Sequence, residues 1–141
     1  MTNDTLIKTV FFKASMETVW AFLTEKEKLA RWFHEAEADL VEGESFALIK
    51  NEDDGSKTRM CWGTVQKMNR PFELVYSFTI KPLEGSLTKV TWSLEEVAGG
   101  TKLTLKHEGI AAASGEAALG LLLALEKGWD AHLAHLRELA S

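Results

Sequence analysis

Clusters of basic residues, long apolar runs and paired cysteines are all missing from this chain of 141 residues. Its sixteen Lys and Arg are outnumbered by twenty-one Asp and Glu and are nowhere concentrated, which removes the electrostatic footprint of a nucleic-acid partner. With Cys61 as the single cysteine no intrachain disulfide can form, and a reducing, cytoplasmic location is expected. No apolar run is long enough to span a bilayer, and Met1 to Thr9 lacks the basic segment and long apolar stretch of a secretion signal, so membrane insertion is not expected. A Gly-rich phosphate loop, a G-x-S-x-G elbow and an H-E-x-x-H pair are also absent. By length the chain is expected to be one domain, residues 1–141, burying a core of its own.

What the chain does have is a long apolar periodicity at its end. From Gly115 to Ala140, Ala118, Leu122, Leu125, Trp129, Leu133, Leu136 and Ala140 recur at steps of three and four, which predicts one helix with a single apolar face. Such a rod is roughly 38 Å long and needs a broad partner. The strand-rich middle of the chain supplies it. Leu6 to Phe12 reads as an opening strand, followed by two short helices. Ser15 is expected to cap the first, and Thr24 with Glu27 to form a capping box for the second, which carries Leu29, Trp32 and Phe33. Alternation predicts a strand over 35–40 with Glu35, Glu37 and Asp39 facing water. Further strands are expected over Ser45 to Lys50, Thr58 to Met68, Leu74 to Ile80, Leu87 to Val97 and Thr101 to His107. Turns at Glu42-Gly43-Glu44, Asp54-Gly55, Arg70-Pro71, Pro82 with Gly85, and Gly99-Gly100 separate them, and Ser114 is a candidate cap for the long helix. Consecutive hairpins make an antiparallel meander, so the fold class is α+β.

This order of elements carries Val19-Trp20, Trp32-Phe33, Gly43, Gly63, Pro71, Leu74-Val75-Tyr76, the run from Gly100 to Leu105, His107, Gly109 and Gly128-Trp129. Together they resemble the START-like, helix-grip superfamily, and within it the family of homologues of the activator of the heat-shock protein 90 ATPase. The chain departs from that family's frequent Gly-Gly pair at Gly43-Glu44. The resemblance implies an antiparallel curved sheet wrapped around a long C-terminal helix, with two short helices between the first and second strands. It also implies a cavity between sheet and helix, used by START-like proteins for lipids, hormones or polyketide-like compounds.

Strand parity sets Met60, Trp62 and Thr64 on one face, and likewise Tyr76 with Phe78, Trp92 with Leu94, and Leu103, Leu105 and His107; each set is expected to face the helix. The expected cavity lining is therefore Trp62, Tyr76, Phe78, Trp92, Leu94, Leu105, His107, Leu125 and Trp129. Trp62, Tyr76, Trp92 and His107 each carry a polar atom that needs a partner when buried. His107 is expected to make one hydrogen bond, to Tyr76, water or a ligand, and not to act as a base, because its neighbour Glu108 points to the opposite face. His132 and His135 read as a solvated pair on the long helix, so no metal site is expected; Cys61 reads as a small buried hydrophobe. No catalytic residue and no cofactor is assigned. The expected partner is a small apolar or amphipathic molecule. A chaperone contact, as the family name implies, is the less favoured alternative, a cavity enzyme or resistance protein is another, and a homodimer stays open.

Overall fold

The computed structural model describes residues 5–80, 83, 86–110 and 118–140. Along the chain these form β1 (Leu6–Phe12), α1 (Met16–Thr24), α2 (Lys26–Trp32), β2 (Glu35–Ala36), β3 (Ser45–Asn51), β4 (Lys57–Asn69), β5 (Glu73–Ile80), β6 (Thr88–Val97), β7 (Gly100–Glu108) and α3 (Ala118–Ala140). All strand pairs are antiparallel, and the sheet order is β1-β7-β6-β5-β4-β3-β2. The sheet curls into a half-barrel around the helices, a helix-grip fold. The expected turns at Pro82, Gly85 and Ser114 lie outside the described residues.

Local chemistry accounts for the helix starts. The Ser15 hydroxyl accepts from the Thr18 backbone N–H at 3.2 Å, capping α1. The expected capping box at α2 does not form. Thr24 is buried, and its hydroxyl donates back to the Trp20 carbonyl at 3.0 Å instead. A distant carboxylate replaces it: Asp39 Oδ1 accepts from the Lys26 N–H at 2.8 Å. That contact, with the Leu40 N–H donating to the Thr24 carbonyl, bends residues 37–40 onto the helices, so the strand expected over 35–40 shrinks to Glu35–Ala36.

Residues directly paired across an antiparallel ladder share a face, so the register identifies the concave side. Leu48 pairs with Cys61, Val65 with Tyr76, Leu74 with Trp92, Leu94 with Leu103 and Val90 with His107; all are buried in one core. β4 breaks simple alternation twice, because its register slips by one residue between its pairings to Leu48 and Ile49 and again between Val65 and Lys67. Trp62 is consequently not concave. It pairs with Ala47 and Thr79 on the convex side and is half-buried there, while Cys61 and Val65 take the inward positions. Met60 still packs against the core, because it sits at the first slip.

α3 packs against β1, α1 and α2. Lys8 on β1 reaches Asp130 at 2.9 Å and Glu126 at 3.7 Å. The helix register agrees with the periodicity in its second half, where Trp129, Leu133, Leu136 and Ala140 are buried. The first half differs. Ala118 and Leu122 are only half-buried, and Leu119 and Leu123 are 70% and 60% exposed. Among the described residues that end of the helix is the less covered one.

Candidate ligand-binding site

Trp129 spans the gap between helix and sheet. Its ring lies 5.6 Å from Trp92, nearly perpendicular, and 6.0 Å from both Phe78 and His107. Its Nε1–H donates to His107 Nδ1 at 3.1 Å. An indole N–H can only donate, so Nδ1 of His107 is the lone-pair nitrogen. The proton is then on Nε2, which donates to the Thr88 hydroxyl at 2.7 Å, and Thr88 in turn donates to the Phe78 carbonyl at 2.7 Å. The chain of donors runs one way and ties α3 to β7, β6 and β5.

A second closed pair lies beside it. Trp92 Nε1 donates to the Tyr76 hydroxyl at 2.9 Å, and burial, partly opposed by that bond, holds the Tyr76 ionisation above the usual tyrosine range. Trp32 donates to the Phe22 carbonyl at 2.8 Å. Among the described residues no buried side-chain nitrogen or oxygen lacks a partner. His107 thus bonds Thr88 and Trp129, not Tyr76. Tyr76, Trp92, Leu94, Leu105 and His107 are at most 5% exposed and take no part in the cleft described next, and the polar atoms of Tyr76, Trp92 and His107 are hydrogen-bonded within the core.

The opening lies on the other side of Trp129. A cleft of about 110 Å³ is walled by Phe78, Ile80 and Cys61 from the sheet, by Phe33 and His34 after α2, and by Ala124, Leu125, Gly128, Trp129 and His132 from α3. Of the expected lining residues, Phe78, Leu125 and Trp129 stand here; Trp62 is on the opposite face of the sheet. Larger hollows of about 500 and 1060 Å³ lie on the surface, beside Lys26 and Lys57 and beside Phe11 and Arg137. They have charged rims and neither is lined by Trp129 or the rings around it, so the smaller, mainly apolar cleft is the candidate site.

Its chemistry is sharply divided. Phe33 stacks on Trp32 at 5.1 Å and lies 5.3 Å from Trp129, making an aromatic floor. The rim is two imidazoles, His34 and His132, with ring centres 5.3 Å apart. Burial lowers the pKa of His34 below 6.5, and the neighbouring His132 lowers it further. Burial also lowers that of His132, against the raising effect of its bond to the Trp32 carbonyl, with His135 adding to the lowering. Burial pushes the Cys61 thiol up to about 12, so it is no nucleophile. Among the described residues no three His, Cys, Asp or Glu side chains are grouped to hold a metal ion.

His132, expected with His135 to be a solvated pair, is instead half-buried in the wall of this cleft. The signal for its true place was present: it follows Leu125 and Trp129 by seven and three residues, the spacing of one helical face. Phe33 and His34 carried no such signal, because their place depends on how α2 ends.

These shifts give a pH dependence. A histidine whose folded pKa is lowered binds its proton more weakly in the folded state than in the unfolded chain. Stability is therefore whole above about 6.5 and declines as pH falls from there through the lowered folded values. Denaturant midpoints measured across that window should fall towards acid, and less steeply in His34→Asn. Equal slopes in the two proteins would remove His34 from the account.

The profile described as "Activator of Hsp90 ATPase homolog 1-like protein" matches residues 13–141. The chain belongs to this family. Solved structures agree. CalU16 from Micromonospora echinospora is 26% identical with a TM-score of 0.76, over 97% of this chain and 76% of that one. MLL2253 from Mesorhizobium loti is 20% identical with a TM-score of 0.75, over 96% and 95%. DynU16, a protein of the dynemicin biosynthetic locus, is 22% identical with a TM-score of 0.78 over 97% of this chain, which spans only 47% of DynU16. No curated protein matches the chain in sequence. The family's fold is consistent with a ligand cavity, and among the described residues no helix is long and apolar enough to cross a membrane.

Proposed function

We propose that this member of the family binds a small, mainly apolar molecule in the cleft between α3, the end of α2 and the strands β4 and β5. The observation that carries the reading is the split lining, an aromatic floor of Phe33, Phe78 and Trp129 under a rim of two imidazoles. Binding sites for small molecules are built this way, largely apolar with a few polar groups that set orientation. The half-buried Leu125 supports it, since it adds an apolar wall from α3 to the same cleft. The cleft, at about 110 Å³, is smaller than the ~150 Å³ engineered cavities that enclose benzene but is open on one side, so it takes one ring at most. The part of the ligand that enters is therefore small.

Titration with a panel of single-ring aromatics should change the fluorescence of Trp129 and raise the melting temperature by mass action. Leu125→Trp, which fills the cleft, should abolish both responses while the protein stays folded. Responses that persist in that variant would place binding elsewhere. A panel that leaves both signals unmoved would end the cavity reading.

A further inference from the structure

The imidazoles at the rim specify more than polarity. His132 Nδ1 lies 3.2 Å from the Trp32 backbone carbonyl, an oxygen that can only accept, so Nδ1 carries a proton and donates it. The ring is thereby oriented, as a donor bond on one imidazole nitrogen decides the role of the other. In the neutral ring Nε2 carries a lone pair. It has no hydrogen-bond partner among the described residues, and no nitrogen there is both sealed from solvent and unpaired, so Nε2 is accessible. No Lys, Arg, Asp or Glu stands among the described lining residues of the cleft. A carboxylate placed there would lose part of its water, meet no countercharge among the described residues and face a lone pair. A hydroxyl has what the site lacks.

We propose that the ligand presents a neutral hydroxyl on an aromatic ring, the ring lying among Phe33, Phe78 and Trp129 and the O–H donating to Nε2 of His132. This rests on the cavity reading above and narrows it to a chemical class, hydroxyaryl compounds, against fatty acids and other carboxylates. The volume agrees, because about 110 Å³ holds one ring at most, with the rest of a larger ligand outside the cleft. The geometry also suits ring recognition, since Trp129 and Phe33 touch, with their centres 5.3 Å apart at 36°, and so make one continuous aromatic wall for a ring to lie against. The lowered pKa of both rim histidines keeps them neutral at neutral pH, which preserves the acceptor.

The test uses four probes of one shape at neutral pH, measured by calorimetry on the whole protein: p-cresol, 4-methylanisole, toluene and 4-methylbenzoate. p-Cresol should bind about tenfold more tightly than 4-methylanisole, the scale of one hydrogen bond, and 4-methylbenzoate should bind most weakly. The ¹⁵N resonance of His132 Nε2 should move towards the hydrogen-bonded position with p-cresol and stay in place with toluene. His132→Phe should level the cresol-to-anisole ratio. Should that variant unfold, the ¹⁵N shift in the unaltered protein decides alone. Equal binding of cresol, anisole and toluene overturns the hydroxyl inference and leaves the cavity reading standing. Preferred binding of 4-methylbenzoate overturns it in favour of an anion site. Failure of all four probes overturns both.

Discussion

Gly63→Ala should be among the most damaging single substitutions in the molecule, at a cost of at least about 3 kcal/mol. A Cβ at residue 63 would fall inside the Ser77 carbonyl oxygen, a backbone atom that no rotamer change can move aside. The two strands would have to part there, breaking the 2.8 Å bond from the Thr64 N–H to the Ser77 hydroxyl. The position lies between the two register slips of β4, where the strand bends most tightly against β5. Gly120→Ala supplies the opposite sign. That glycine is an exposed helix residue with open space around its missing Cβ, so alanine should stabilise by roughly 0.5–1 kcal/mol. Urea midpoints of the two variants decide it. A Gly63→Ala midpoint equal to that of the unaltered protein would mean that β4 and β5 are farther apart than described.

Trp129→Ala should cost about 3–5 kcal/mol, from the lost ring and the hole it leaves. The residue is only 3% exposed and touches the rings of Phe33, Phe78, Trp92 and His107. A polar penalty adds to the apolar one. Without the indole N–H, Nδ1 of the fully buried His107 loses its 3.1 Å donor. Trp129→Phe separates the two, because it keeps most of the ring and removes the donor, and about 0.5–1.5 kcal/mol is expected for the lost hydrogen bond. Denaturant titration of the three proteins gives both terms. If Trp129→Phe matches the unaltered protein, the bond to His107 carries no stability; if Trp129→Ala does, the helix register is wrong.

Much of the fold was legible because its signals are local. β1 spans Leu6–Phe12 as expected, Ser15 caps α1, and Gly55 and Gly99 take the positive φ of +86° and +83° that their turns require. Helical spacing likewise placed Trp129, Leu133, Leu136 and Ala140 on the buried face. The failures share one cause, contacts between residues distant in the chain. Asp39 capping α2 from thirteen residues away ended the strand expected over 35–40. Two slips in β4, visible only against its neighbours, left Trp62 outside and Cys61 inside.

The division for the site follows the same line. Periodicity by itself determined that a long C-terminal helix would bury Trp129 against a meander of strands, because hydrophobic spacing of 3.6 and 2 is a property of each segment. Tertiary structure alone decided which aromatic residues are sealed and which remain accessible. Trp92 and Tyr76, or His107 and Trp129, satisfy one another only when strands and helix separated by many residues meet, and that pairing closes the centre. The cleft is left where α3, the end of α2 and the strands β4 and β5 meet, beside Phe33, His34 and His132. Its position is a matter of how far apart packed elements stand, a distance that no stretch of sequence encodes alone.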